Sequence, residues 1–437
     1  METSKEKISR NQTIERDVLS VSEKTGSWYW LLLFFTVCLT ALGFIMWGNQ
    51  ILTGMGLAGK NNPVGWRFYI TNFVFWVGIA HSGTLISAVL LLFRARFRSS
   101  FNRAAEAMTV FAVMTAGLFP LIHLGRAWKF YWLFPYPNQR LLWVNFKSPL
   151  IWDVFAVSTY FTVSVVFFYV GMIPDLAVAR KHSLGIKKLF YSILSLGWQG
   201  TELQWKHYRW LCIFLAAFAT PLVVSVHSVV SWDFAMSLIP GWHTTIFAPY
   251  FVSGAIFSGT AMVITLVVPM RKIFSLEKYI TEDHFENIAK ILIVTSLIVG
   301  YAYIVEPLLA IYSGNIFEKS QFYYRFFGEH WFAAGIMLTC NAILPATLFV
   351  KKLRRNIKYL FIMSIFVNIG MWLERYVIIV TSLSHDYDPY AWGTWFKPTY
   401  TELGITIGSF GLFFTLYLLF IKFLPILSIS EIKEVSE

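Results

Sequence analysis

Charge is what this sequence has least of. Only 14% of its 437 residues are Asp, Glu, Lys or Arg, against roughly 25% in soluble domains. Hydrophobic residues make up 57% and aromatics 18%. Folded as soluble domains, such a chain would expose far more apolar surface than water tolerates, so a soluble enzyme is excluded and the chain belongs in a bilayer. Cysteine is scarce as well. Cys38, Cys212 and Cys340 each lie inside a long apolar run, and an odd number buried in lipid excludes a disulfide framework. No C-x-x-C pair is present, so no motif for an iron–sulfur cluster, a zinc site or a covalent haem appears, and the chain is expected to hold no metal or haem of its own. The polar stretch 1–26 lacks an early apolar segment with a small-residue cleavage site, so no cleaved leader is expected.

Long apolar runs are what the sequence does have. A membrane span needs about 20 mostly apolar residues. Ten runs qualify, at 28–47, 69–93, 107–125, 150–172, 210–231, 245–270, 288–313, 331–350, 359–382 and 404–424. Backbone groups in lipid must be satisfied within each segment, so these are expected to be helices; barrel strands would give alternating ten-residue signals. The expected fold is an all-α, polytopic membrane protein with about ten transmembrane helices.

The net charge of +12 fits cytoplasmic loops better than a nucleic-acid partner, because Lys and Arg concentrate on the inner side of membrane proteins. The loops after the second, fourth, sixth and eighth runs carry 18 Lys and Arg, and the alternate loops carry nine. The first set is therefore expected inside, with both termini cytoplasmic. The outer segment 126–149 is rich in Trp, Tyr, Phe and Pro, which suits an interfacial segment or a docking surface for a partner. Gly54, Gly56 and Gly59 spell G-x-G-x-x-G before Lys60. A nucleotide-binding motif would need a strand before them, so this is expected to be a turn. The sequon at Asn11 is expected on the cytoplasmic side and unused.

Ionisable residues inside a bilayer are costly and default to function. With the helices alternating in direction, His123, Asp153, His227, Asp233 and His243 fall at similar depth near the outer face. Arg126 shares a helix face with His123 if that helix continues far enough. His81 is deeper, with Thr84 one turn on. Carboxylate and imidazole side by side suit hydrogen bonding to a quinol and proton transfer. A second group lies in later spans: Glu306, Asn341, Glu374 and Arg375. Neighbours in a helix point about 100° apart, so Glu374 and Arg375 need not pair; the group is expected to form structural ion pairs or a polar proton route. Each of the first group also has a plainer reading, as a separately satisfied interfacial residue.

These residues sit in stretches with a family likeness: GIAHSGTLISAVLLLFR (78–94), NRAAEAMTVF (102–111), GLFPLIHLGRAW (117–128), LWVNFKSPLIWDVFA (142–156), PLVVSVHSVVSWDFA (221–235), PGWHTTIFAPYFVSGAIFSG (240–259) and NIGMWLERYVIIVTSL (368–383). In them the chain resembles the NrfD/PsrC family of quinol-interacting membrane subunits, and within it the ActC branch found in bacterial alternative complex III. The resemblance implies two four-helix bundles with flanking helices. The chain then divides into a cytoplasmic tail (1–27), a first span and outer loop (28–68), a first bundle with the quinol site (69–232), a second bundle (233–382), and an outer loop, last span and tail (383–437). It implies a quinol-oxidising site formed by His123, Asp153 and Asp233 near the outer face, with His81, Arg126, His227 and His243 as pocket or proton-path candidates. It further implies quinol, favouring menaquinol, as substrate. Expected partners are an extramembrane iron–sulfur subunit on the outer face, c-type cytochrome subunits carrying haem, a paralogous membrane subunit and a terminal oxidase, in a bacterial inner membrane, with proton translocation through the bundles. The rival readings are a b-type cytochrome anchor with two axial His, a secondary transporter built on inverted repeats, and a purely structural anchor for partner subunits.

The charge bias makes a direct prediction. A cysteine placed at Asn138 reacts with an impermeant reagent from the periplasmic side of spheroplasts; labelling only after the inner face is opened reverses the topology.

Overall fold

The computed structural model describes residues 4–23, 25–61, 64–388 and 397–436. Among these residues there are helices and turns and no strand. Ten helices are long and apolar enough to cross a membrane, one for each apolar run. A short helix α1 (Ser4–Ser20) precedes α2 (Ser27–Thr53). Then come α3 (Phe68–Leu92), α4 (Asn102–Leu124) and α5 (Pro149–Lys181). The short α6 (Gly185–Leu194) leads to α7 (Glu202–Ala235), α8 (Phe247–Ile273) and α9 (Glu282–Tyr312). A second short helix, α10 (Ile316–Phe327), leads to α11 (Trp331–Phe349), α12 (Ile357–Ser384) and α13 (Tyr400–Phe423), and α14 (Ile429–Ser436) ends the described chain.

Several spans run past the apolar stretches that announce them. Helix α4 starts five residues before 107, α5 continues to Lys181, and α7 covers Glu202–Ala235. Hydropathy stops a span at its first charge, but a charge paired inside the protein lets the helix continue. Arg103, Glu106 and Asp175 lie in these added turns, and each is buried. A capping box between Thr201 and Gln204 fixes the start of α7, satisfying amides that would otherwise lack partners. Asp233 accordingly lies inside α7, not beyond its end. The polar stretch 1–27, expected as a tail, contains α1. Ile14 and Val18 on that helix and Val21 just after it are buried, and α1 packs against α14.

Helices α3, α4, α5 and α7 pack as one four-helix bundle, and α8, α9, α11 and α12 as a second; α2 and α13 pair with each other and flank α4. Helix α3 is the seam, in contact with α4, α7, α8 and α12. Lipid supplies no hydrophobic drive between helices, so close backbone packing and interhelical hydrogen bonds hold them together. Gly259 of α8 allows a close approach: a Cβ there would lie 2.5 Å from the Ile79 carbonyl oxygen of α3. Ser82 and Thr260 hydroxyls meet across the same seam at 2.8 Å, and Thr109 of α4 donates to the Ala80 carbonyl at 2.9 Å.

Two ends of the molecule are distinguished by their loops. The aromatic end carries the α4–α5 connection, with Trp128, Trp132, Trp143 and Phe146 all exposed. The basic end carries the Arg- and Lys-rich connections after α3, α5, α8 and α11.

A bulky side chain at the seam should part the bundles. Gly259→Leu is expected to destabilise the subunit by about 1–3 kcal/mol or more, read as a lowered melting midpoint in detergent. A leucine at the lipid-facing position Gly117, where a Cβ meets nothing, should leave the midpoint unchanged.

Candidate functional site

Asp153 sits in the second turn of α5, four residues after Pro149, and Asp233 in the last turn of α7. The antiparallel run of these two helices brings the two carboxyls together, close enough to interact directly. Two buried carboxyls this close repel each other when both are ionised, so the pair is suited to share a proton. Asp153 Oδ1 and Asp233 Oδ1 are both buried with no protein partner. Buried acceptors in that condition carry a desolvation cost, which a hydroxyl-bearing ligand would remove.

His123 lies in the last turn of α4 and has a different partner. Lys60 Nζ stands 2.8 Å from His123 Nδ1 and 3.2 Å from the His123 carbonyl oxygen. The two aspartates pair with each other, and His123 goes to Lys60. Lys60 also lies over the Tyr69 ring, 5.5 Å from its centroid. The Tyr69 hydroxyl donates to Gln50, and Gln50 Nε2 donates to the Ile122 carbonyl at 3.2 Å, bracing the end of α4. Lys60 lies outside the spans. Burial pushes its ammonium down to about 8, with the Glu402 carboxylate opposing that and the Arg67 guanidinium adding to it. Arg126 lies beyond the end of α4, so it does not continue the helix face of His123. His243 is exposed, with Nδ1 3.1 Å from the Ser237 carbonyl oxygen.

The middle of the first bundle holds a second cluster. His81 of α3 stacks on Tyr160 of α5 and stands 4.6 Å, centroid to centroid, from His227 of α7. His81 Nδ1 bonds the Val77 carbonyl at 2.6 Å, while His81 Nε2 and both nitrogens of His227 are buried without partners. The rings lie in direct contact at 62°, which leaves no room for a porphyrin between them, so His81 and His227 do not hold a haem as a pair.

In the second bundle, Glu374 and Arg375 of α12 do pair, the guanidinium reaching back to its neighbour's carboxylate. Tyr303 donates to Glu374, and Asn341 Nδ2 donates to Tyr303 at 2.8 Å. Arg375 also lies 4.7 Å from the Phe251 ring centroid, next to His227. Glu306 of α9 pairs with Arg325 of α10 at 3.3 Å. Short π-helical turns follow His81 at Leu85–Val89, enclose Asn341 at Thr339–Ile343, and follow Arg375 at Val377–Thr381. Such turns gather at functional sites.

At the basic end Arg103 bridges Glu106 (3.0 Å) and Asp175 (2.8 Å). A cavity of about 710 Å³ opens beside them, lined in part by Arg98, Glu106, Asp175, Tyr208 and Glu431. Helix α14 closes one side, held by the Ser430 amide on Asp175 and by Glu431 on Arg98 and Asn102. Hydropathy alone gives these residues no role, because the apolar runs stop short of them. The Arg103-x-x-Glu106 spacing, one helical turn, is the signal that could have found them. No group of His, Cys, Asp and Glu with the arrangement of a metal site occurs among the described residues.

Residues 56–385 match the sequence profile of the family described as polysulphide reductase, NrfD. A putative dimethyl sulfoxide reductase membrane subunit from Halobacterium salinarum is 27% identical over 258 residues, 59% of this chain and 54% of that protein. A selenate reductase subunit from Mesobacillus selenatarsenatis is 22% identical over 360 residues, 80% of this chain and 81% of that protein. An Hdr-like menaquinol oxidoreductase integral membrane subunit from Archaeoglobus fulgidus is 23% identical over 166 residues, 38% of this chain and 39% of that protein. The chain thus spans about half the length of the first of these relatives.

The Arg103 bridge yields a stability prediction. Arg103→Met strands two buried carboxylates and should cost about 3–5 kcal/mol, measured as thermal stability in detergent. Adding Glu106→Gln and Asp175→Asn should recover most of the loss.

Proposed function

The chain belongs to the polysulphide reductase NrfD family, and from that premise we propose that it is the membrane subunit of a respiratory complex that oxidises quinol at the aromatic end. One observation carries the reading: the closely set Asp153–Asp233 pair, with an unpartnered buried acceptor on each carboxyl. A quinol presents two hydroxyls and loses two protons and two electrons on becoming quinone. Carboxyl oxygens accept hydrogen bonds from those hydroxyls, and a carboxylate or imidazole takes the protons. Asp153 and Asp233 form one acceptor, and His123, at the same end of the neighbouring helix, is the second. The Archaeoglobus relative is named a menaquinol oxidoreductase subunit, which supports menaquinol as substrate.

The electrons leave through an extramembrane iron–sulfur partner. The exposed tryptophans of the α4–α5 connection form its docking surface, since aromatic residues are favoured at the cores of protein contacts. The charge bias supports an orientation with the aromatic end outside and the termini in the cytoplasm, and the reading places the complex in a bacterial inner membrane. In the finer reading the assembly is of the alternative complex III type, with c-type cytochrome subunits, a paralogous membrane subunit and a terminal oxidase downstream. Coupling to proton movement would run through the buried carboxyls Glu106, Asp175, Glu306 and Glu374.

Asp153→Asn keeps the side-chain shape and removes the base. Loss of a general base costs about 10²–10⁴-fold in rate, so quinol oxidation per assembled complex should fall by that order. Asp233→Asn should fall comparably, because the two carboxyls act as a pair. Near-native turnover by an assembled Asp153→Asn complex removes the pair from the reaction.

A further inference from the structure

The glycine-rich run before Lys60 has no part in nucleotide binding. Helix α2 precedes it, and Met55–Ala58 forms a single 3-10 turn. Its geometry serves another end. Gly59 adopts φ +60°, and a Cβ there would lie 2.5 Å from Arg67 Nη1 and 2.6 Å from Thr399 Cγ2. Only glycine satisfies both that backbone conformation and that contact. The turn so fixed carries Lys60 over the end of α4 and sets its ammonium on His123 Nδ1 at 2.8 Å.

This contact dictates the state of the imidazole. A charged ammonium has donors and no lone pair. While Lys60 is charged, His123 Nδ1 must accept, and the ring proton sits on Nε2. In that state Nε2 donates to a quinone carbonyl but takes no proton from a quinol. When Lys60 is neutral, Nδ1–H donates to the Lys60 nitrogen, and Nε2 presents its lone pair.

We propose that Lys60, delivered to His123 by the glycine-rich turn, is the proton acceptor behind His123 in quinol oxidation. The inference rests on the quinol-site reading given above. The quinol gives two electrons, one at a time, to the iron–sulfur clusters of the extramembrane partner. One phenolic proton passes to His123 Nε2 as the Nδ1 proton passes to the Lys60 amine. The other phenolic proton passes to the Asp153–Asp233 pair. The lysine touches no quinol and acts through His123 alone. The charged and titratable groups facing Lys60 are His123 on α4, Tyr69 and Arg67 at the start of α3, and Glu402 on α13. Arg67 is itself held by Glu402 at 3.4 Å. The amine must be neutral to accept, and burial brings its midpoint to about 8. Turnover should therefore rise with pH up to about 8 and level off above it.

The test compares Lys60→Arg, Lys60→Met and His123→Ala in the assembled complex, with turnover per complex read across pH and binding of an oxidised quinone analogue measured alongside. Arginine keeps the charge and the hydrogen bond but does not deprotonate in proteins. Lys60→Arg should bind the analogue as the native complex does yet lose about 10²-fold or more in turnover at every pH. Lys60→Met should also slow turnover and lose the rise toward pH 8. A purely structural lysine predicts rescue by arginine, so native turnover in Lys60→Arg overturns the proposal. Native turnover in His123→Ala overturns the quinol-site reading itself. A slow His123→Ala beside a native Lys60→Arg sinks the lysine relay alone.

Discussion

The whole architecture depends on the burial of one helix. Helix α3 is enclosed by both bundles, with Trp76, Ile79, Ala80 and His81 all fully buried. Inside a membrane there is no water to repair a missing hydrogen bond, so polar atoms on this helix depend on neighbouring helices for partners. Gly259 lets α8 come close enough to bring Thr260 to Ser82. Thr109 of α4 and Tyr160 of α5 both reach the Ala80 carbonyl. Once α3 is placed, α5 and α7 have fixed neighbours, and the ends that carry Asp153 and Asp233 meet.

The same constraint sorts the ionisable groups. Most buried charges have opposite partners: Arg103 with Glu106 and Asp175, Arg325 with Glu306, Arg375 with Glu374, and Arg67 with Glu402. These pairs account for their own burial. The Asp153–Asp233 pair is of another kind, two acids set side by side, and so is the contact between a lysine and an imidazole at His123. A fold gains little stability from like groups set together. Their place at one end of one bundle, on successive helices, is where the case for chemistry lies.

Much of this was legible in the sequence because hydropathy and helix direction are local or cumulative properties. Ten runs became ten helices, and counting alternations put Asp153 and Asp233 at the same end. What failed was partner choice. The 100° between Glu374 and Arg375 left their pairing open, and a guanidinium on a long flexible stem reaches back around that angle. Glu106 and Asp175 lay outside the apolar windows because a charge counts against a span whether or not it is paired. Lys60 reads in the sequence as part of a glycine turn, and turn it is; only the folded loop shows that it ends on His123. His81 lacked a visible partner because depth read from sequence placed His227 near the outer end of its helix, whereas α7 extends four residues beyond 231 and brings His227 level with His81.

The proposed quinol site lies at the aromatic end, although a cavity of about 710 Å³ lies at the basic end. An experimental structure of the assembled complex with a bound quinone analogue separates the two directly. One quinone oxygen is expected within hydrogen-bonding distance of Asp153 or Asp233 and the other toward His123. An analogue seated instead in the basic-end cavity beside Glu106 and Tyr208, with nothing bound at the aspartate pair, would contradict quinol oxidation at the aromatic end.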